Sequence, residues 1–352
     1  MIDSFGRNID YLRLSVTDQC NLRCVYCMPE EGVPFAPAEK ILTDDEIVRL
    51  VRIAAEMGVR KVRLTGGEPL IRRGFVDLVA RIAALPGIED LSATTNAYLL
   101  ERDADALVRA GLHRVNISLD TLRRDRFAGI ARRGSFDRVW EGIRAAMAAG
   151  LSPLKINCVA MRGLNDDEAA DFAEWTTREP VHVRFIEIMP IRWNLDDTAP
   201  TDRGEGNGLL MLHQADGNML SDSQMRRLFV PWEATRARIE AVHGALEEAL
   251  VVTNGPARSF RIPGAPGTVG FISQISDDLC VRCNRLRLTS DGFLRPCLME
   301  DGELDLRTPL RAGADDEMLR GLFEHVVAHK PARHYLAQGQ KVLGRSMSQI
   351  GG

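Results

Sequence analysis

Between residues 10 and about 190, short apolar runs alternate with segments whose apolar positions recur at helical spacing. The runs DYLRLSVT, KVRLT, DLSATT, RVNISLD, PLKINCVAM and VHVRFIEIM are rich in β-branched and other apolar residues, which predicts strands. The stretches between them have readable ends. In LTDDEIVRLVRIAAEMG, Thr43 and Glu46 have capping-box spacing, Ile47, Leu50, Val51 and Ala54 form an apolar stripe, and Gly58 stands where the helix should stop. In LNDDEAADFAEW, Asn165 is the expected cap, with Glu168 three residues on. Strand-then-helix units in succession predict a parallel sheet, because parallel neighbours need a crossover and a helix supplies it. Six such units suit an open or partial barrel better than a closed eight-stranded one.

After Met189 the regularity fails. Residues 192–220 are rich in Asp, Gly, Asn and Pro and read as a long loop or insertion. Helical patterns around SDSQMRRLF and EATRARIEAVHGALEEA follow, then a Gly- and Pro-punctuated strand region, GPARSFRIPGAPGTVGFISQIS. The expected fold is α/β: a partial (βα)6 TIM-like barrel over residues 1–191, a loop or insertion over 192–219, and a smaller C-terminal α+β domain over 220–352 covering the barrel mouth.

Composition narrows the class. With 352 residues, 45% hydrophobic and 27% charged, the chain can bury a large core. Its formal net charge of -4 gives no global basic field for nucleic acid, so an anionic ligand needs a local cluster of cations. The first residues, MIDSFGRNIDYL, lack a charged region followed by an apolar run, and no segment approaches the roughly 18 apolar residues of a membrane span. A cytoplasmic protein is expected.

Seven cysteines change the picture. Six fall in two triplets, Cys20/Cys24/Cys27 and Cys280/Cys283/Cys297, leaving Cys158 as an expected core residue facing a helix. Structural zinc would want repeated C-x2-C pairs and four ligands, and a bacterial ferredoxin run would add a fourth cysteine followed by proline. The spacing C-x3-C-x2-C offers neither. A 4Fe-4S cluster on three thiolates, with one iron left for a substrate or cofactor, is the economical alternative. The strand ends agree with a site at the carboxyl rim of a barrel. The first triplet follows LRLSVTD, Gly66 to Pro69 (GGEP) follow KVRLT, Thr94 to Asn96 end the third strand, and Ser118, Asp120 and Met189 end later ones.

The second triplet lies in CVRCNRLRLTSDGFLRPC. RLRLT and FLRPC flank the turn Ser290-Asp291-Gly292, so a hairpin should return Cys297 beside Cys283. Alternation puts Arg285 and Arg287 on one face. They are either an exposed basic edge or an anion site, because guanidinium groups chelate phosphate oxygens. Arg13, Lys61, Arg63 and Lys155 add cations on other strands, and a lysine on a buried parallel strand is costly unless it meets an anion.

C-x3-C-x2-C with an aromatic, Tyr26, before the third cysteine and GGEP after the next strand resembles the radical S-adenosylmethionine superfamily. LRLSVTDQCNLRCVYCMP, RLTGGEPL, RVNISLDTL, KINCVAMRGLND, RFIEIMP, CNRLRLTSDGFLRPCL and the terminal SQIGG together resemble the GTP 3',8-cyclase family of molybdenum cofactor biosynthesis, over residues 8–352 apart from 192–218. The resemblance implies two 4Fe-4S clusters, one on Cys20, Cys24 and Cys27 and one on Cys280, Cys283 and Cys297. It implies S-adenosylmethionine on the first cluster, contacted by Tyr26, Gly67, Ser118 and Met189. GTP would be held by Arg13, Arg63, Thr94, Lys155, Arg285 and Arg287, with its guanine on the second cluster. Gly351 and Gly352 would thread into the active site. The implied reaction takes the ribose 3' hydrogen, joins that carbon to guanine C8 and reduces the resulting aminyl radical, giving 3',8-cyclo-GTP. Implied partners are an electron donor protein and the next enzyme, cyclic pyranopterin monophosphate synthase, with a monomer or homodimer and neither nucleic acid nor membrane. A twin-cluster radical enzyme acting on a peptide, and a non-catalytic iron-sulfur carrier, are the alternatives. One departure stands out: the family has Gly after TTN where this chain has Ala97, which costs about 1 kcal/mol if φ there is positive.

Overall fold

A computed structural model of the chain describes residues 1–189, 222–250, 255–277, 279–334 and 345–351, so the expected insertion at 192–219 and Gly352 lie outside the described residues. Strands β1 (Tyr11–Ser15), β2 (Lys61–Thr65), β3 (Asp90–Thr95), β4 (Arg114–Ser118), β5 (Lys155–Ala160) and β6 (His182–Glu187) stand side by side in chain order, all parallel. Their crossovers carry α1 (Asp44–Glu56), α2 (Phe75–Ala83), α3 (Leu100–Arg109), α4 (Arg124–Ala131), α5 (Phe136–Ala148) and α6 (Ala169–Arg178). This is the expected partial (βα)6 arrangement.

Local chemistry sets the helix ends. Thr43 Oγ1 accepts from the Glu46 amide at 3.2 Å and Glu46 accepts from the Thr43 amide at 2.8 Å, a reciprocal cap worth about 1 kcal/mol. Ile47, Leu50, Val51 and Ala54 are buried as the stripe requires, and Gly58 leaves the helix at φ +105. Asn165 departs from expectation, for its side chain caps nothing. Its amide donates to the carbonyls of Asp120 at 2.6 Å and Val159 at 2.8 Å, while Glu168 accepts from Thr121 Oγ1 and the Leu122 amide, each at 2.7 Å. Polar backbone groups buried at the strand ends need partners, and these two side chains supply them.

The C-terminal part extends the same sheet at both edges. Strands β7 (Glu247–Glu248), β8 (Arg258–Arg261) and β9 (Thr268–Ile272) add beyond β6, with β9 parallel to it; β10 (Arg285–Leu288), β11 (Phe293–Arg295) and β12 (Leu304–Asp305) add beyond β1, with β10 parallel to it. The result is one open twelve-stranded sheet, β12-β11-β10-β1-β2-β3-β4-β5-β6-β9-β8-β7. Alternate positions divide its two faces. Leu12, Leu14, Val62, Leu64, Leu91, Val115, Ile156 and Cys158 pack in the main core, while the intervening positions carry the polar residues described below. No helix among the described residues is long and apolar enough to cross a membrane.

Candidate active site

Strand register assembles the polar face. Arg287 on β10 stands opposite Arg13 on β1, Arg13 opposite Arg63 on β2, and Arg63 opposite Ser92 on β3. Further along, Thr94 faces Asn116, Asn116 faces Lys155, Ser118 faces Asn157, and Asn157 faces Arg184. Gly270 on β9 follows opposite Arg184, and a Cβ there would meet the Arg184 side chain at 3.2 Å. Of these positions Arg13, Arg63, Thr94, Ser118, Asn157, Arg184 and Arg287 border a cavity of about 260 Å³, which all six cysteines of the two triplets also line.

The cations of this face are buried and stand close to one another. Burial and the charges of Arg63 and Arg285 bring Arg13 down to about 9, despite opposing Tyr11. Burial with Arg63 and Arg13 brings Arg184 down to about 9, and burial with Arg184, Arg114 and Arg63 brings Lys155 down to about 6. Guanidinium groups keep their protons, so for the arginines these shifts reflect burial and mutual repulsion, which an anion in the cavity would relieve. Thr94 Oγ1, Asn157 Oδ1 and Arg184 Nε are buried without a hydrogen-bond partner, which again marks a place for a polar ligand.

Around the first triplet, the loop after β1 is held by the loop after β2. Gly67 N donates to Thr17 O at 2.8 Å and Glu68 N to Gln19 O at 2.7 Å. A Cβ on Gly66 or Gly67 would lie 2.4 or 2.2 Å from those same carbonyls, so the two glycines serve this backbone contact as well as bordering the cavity. The Glu68 carboxylate, pushed up to about 7 by burial, accepts from Leu70 N, Thr95 Oγ1 and Asn96 N at 3.1, 2.7 and 2.7 Å. Tyr26 donates to Asp120 at 2.8 Å. Burial raises all three thiols, Cys20 to about 11 and Cys27 to about 12, and Cys24 is raised further by Asp120 and Cys27.

The second triplet is the expected hairpin. Arg287 pairs with Arg295 and Leu288 with Leu294 across the turn, where Gly292 takes φ +86. Burial opposes ionisation of Cys283, but Arg285 and Lys330 outweigh it and bring the thiol down to about 7. Lys330 Nζ donates to the Arg285 carbonyl at 2.8 Å and to the Pro296 carbonyl, clamping both strands beside the thiols. Arg7 donates to the Cys280 carbonyl at 2.9 Å.

Among the described residues, no three His, Cys, Asp or Glu side chains close on a single-ion point. Four irons span more than one ion, and the triplets fit that wider demand. Each brings three cysteines to one cavity wall, and amides donate to sulfur, Leu22 N to Cys20 and Met299 N to Cys297, both at 3.4 Å. Iron charge would counter the burial that raises the first three thiols. Cys20, Cys24 and Cys27 would hold one 4Fe-4S cluster, and Cys280, Cys283 and Cys297 the other.

Of the other predicted residues, Tyr26, Gly67, Ser118, Met189, Arg13, Arg63, Thr94, Arg285 and Arg287 line the cavity. Lys155 is buried behind that lining, and the Gly351 carbonyl accepts from Arg13 at 3.1 Å and Arg287 at 2.8 Å. Sequence reasoning passed over Arg184, Lys330 and Arg7. Arg184 carried a signal: it is a charged residue in the middle of VHVRFIEIM, the same anomaly that drew attention to Lys155.

Three thiols facing a cavity at the carboxyl ends of a partial barrel, beside a glycine-rich strand end, define a radical S-adenosylmethionine enzyme, and the Radical SAM superfamily matches residues 14–176. Molybdenum Cofactor Synthesis C matches residues 216–336. The chain is 49% identical over 352 residues to a GTP 3',8-cyclase of Moorella thermoacetica and 50% identical over 354 residues to one of Heliobacterium modesticaldum, covering 100% of both chains in each case. It belongs to the GTP 3',8-cyclase family. The crystal structure of Streptococcus suis SuiB bound to S-adenosylmethionine shares the fold, with TM-score 0.51 and 16% identity over 90% of this chain and 68% of that one.

Proposed function

We propose that the chain is itself a GTP 3',8-cyclase that uses S-adenosylmethionine to convert GTP to 3',8-cyclo-GTP in molybdenum cofactor biosynthesis. The observation that carries it is the placement of two three-thiol sites about one cationic cavity. Cys27 follows the carboxyl end of β1, whereas Cys283 precedes the amino end of β10, its parallel neighbour. At about 3.3 Å per residue, the five residues of β1 place roughly 15 Å of strand between those two ends, room for a nucleotide along the cation row.

Tyr26, Gly67, Ser118 and Met189 hold S-adenosylmethionine on the first triplet's side. Arg13, Arg63, Lys155, Arg184, Arg285 and Arg287 take the triphosphate charge, and Thr94 supplies a free hydroxyl to the nucleotide. The first cluster, when bound, supplies the electron that cleaves S-adenosylmethionine to the 5'-deoxyadenosyl radical. The protein's work is positional: the cation row and the Gly351 contact fix the nucleotide, so that the ribose carbon meets C8 before solvent.

This function calls for an electron donor protein and for transfer of product to cyclic pyranopterin monophosphate synthase, by a monomer or homodimer in the cytoplasm. Residues 1–191 and 220–352 would act as its two functional parts. A peptide-modifying enzyme has less support, since a buried row of cations suits a polyphosphate. The test is anaerobic reconstitution with reductant, S-adenosylmethionine and GTP. Formation of 5'-deoxyadenosine together with a GTP isomer of unchanged mass supports the cyclase; 5'-deoxyadenosine unaffected by GTP, without the isomer, removes the substrate.

A further inference from the structure

The seven residues from Arg345 to Gly351 enter the cavity wall as a short tail. A single turn, Met347–Ile350, is capped by Ser346 and Gln349 and ends at Gly351 with φ +68. The tail touches both triplets. Ser348 lines the cavity with Cys27, Ile350 packs with Met299 beside Cys297, and the Gly351 carbonyl accepts from Arg13 and Arg287. One helical turn does not hold itself in place, because nucleation orders several residues for one hydrogen bond.

The anchor sits at its start. Arg345 Nη1 and Nη2 donate to the two carboxylate oxygens of Asp291 at 2.9 and 3.0 Å; Nε and Nη2 donate to Glu303 at 2.9 and 2.8 Å. The guanidinium also lies 4.9 Å from the centre of the Phe293 ring. Every guanidinium nitrogen is engaged, in the two-pronged geometry that gives arginine its directional grip. Asp291 lies in the turn between β10 and β11, so the grip ties the tail to the hairpin that carries Arg287 and leads to Cys297. We propose that Arg345 is a latch: a positioning residue whose bonds to Asp291 and Glu303 seat the C-terminal tail between the two triplets and set where Gly351 meets Arg13 and Arg287.

The tail's function rests on the cyclase proposal, whereas its seating does not, and the experiment separates them. Full-length reconstituted enzyme, wild type, R345M, R345K and D291N, is compared by hydrogen exchange and by steady-state kinetics. In R345M, amides 347–350 should exchange at least roughly tenfold faster while strands β1 to β6 keep their protection. Turnover of GTP should fall at least roughly tenfold with KM for S-adenosylmethionine unchanged, and R345K, charged but without the fork, should lie between. D291N should loosen the tail from the other side of the contact, which decides the matter if R345M does not fold. Unchanged exchange at 347–350 in both variants overturns the latch, as does a loosened tail with undiminished turnover. If wild type makes no GTP isomer, the cyclase proposal fails, but exchange still decides the seating.

Discussion

Lys155 stands opposite His182 in the register of β5 and β6, so a buried lysine and a half-buried histidine are neighbours, with Arg184 close by. Burial, Arg184 and neighbouring arginines bring Lys155 down to about 6; burial, Lys155 and Arg184 bring His182 down to about 4. Asp90 offsets part of the repulsion at Lys155, and a polyphosphate would offset more.

The pH dependence follows from the sign of that shift. An unfolded Lys155 titrates near 10.5 and the folded one near 6, so between these values the unfolded chain binds the extra proton. The stability penalty is full below about 6, shrinks as pH rises, and is gone above 10.5. GTP binding at pH 7.5 should therefore take up a proton at Lys155. Calorimetry in buffers of different ionisation enthalpy should show this uptake, and K155Q should abolish it. K155Q should also stabilise the ligand-free protein at neutral pH, by roughly 1–3 kcal/mol. Binding heats that do not depend on the buffer would count against Lys155 as a triphosphate ligand.

Arginine truncation should show as lost phosphate affinity. A charge-assisted bond contributes about 1.5–3 kcal/mol, so R287M should weaken GTP binding by roughly 10- to 150-fold. Equilibrium dialysis should rank GTP above GDP and GDP above GMP, with the steps compressed in the variant. Equal affinity for the three nucleotides would mean that the cation row does not read phosphate.

Much of this was legible in the sequence because it is local. The six strands announce themselves as short β-branched runs, the cap at Thr43 by its spacing to Glu46, and the β10–β11 hairpin by Ser290-Asp291-Gly292. What escaped is long-range. No local pattern says that RLRLT pairs with β1 or that TVGFI pairs with β6, so the extension of one sheet at both edges was hidden. Asn165 and Glu168 have the spacing of a helix start, yet loops distant in sequence claim their side chains. Arg7 and Lys330 reach the second triplet through backbone carbonyls, contacts that residue type does not announce.

Ala97 gives a test of magnitudes. Its φ is +63, which costs a non-glycine residue roughly 1–2 kcal/mol, but its methyl is fully buried, worth about 0.8 kcal/mol. Glycine would also restore roughly 0.4–1 kcal/mol of entropy to the unfolded chain. These contributions nearly cancel, so A97G should change stability by less than about 1 kcal/mol in urea unfolding. A larger gain would show that the buried methyl contributes little.

Gly351 should tolerate no side chain. A Cβ there would lie 2.2 Å from Thr65 Oγ1, at a left-handed φ of +68. G351A should lower GTP turnover at least roughly tenfold, with melting unchanged because the tail lies outside the main core. Full activity in G351A would remove the tail from the reaction.

The central claim is that one cavity holds the nucleotide with its ribose toward the first triplet. Its most direct test uses GTP deuterated at the ribose 3' position, with mass analysis of both products after a single turnover. The predicted result is 5'-deoxyadenosine carrying one deuterium and a cyclised isomer that has lost it. Unlabelled 5'-deoxyadenosine, formed at the same rate with or without GTP, would contradict the claim.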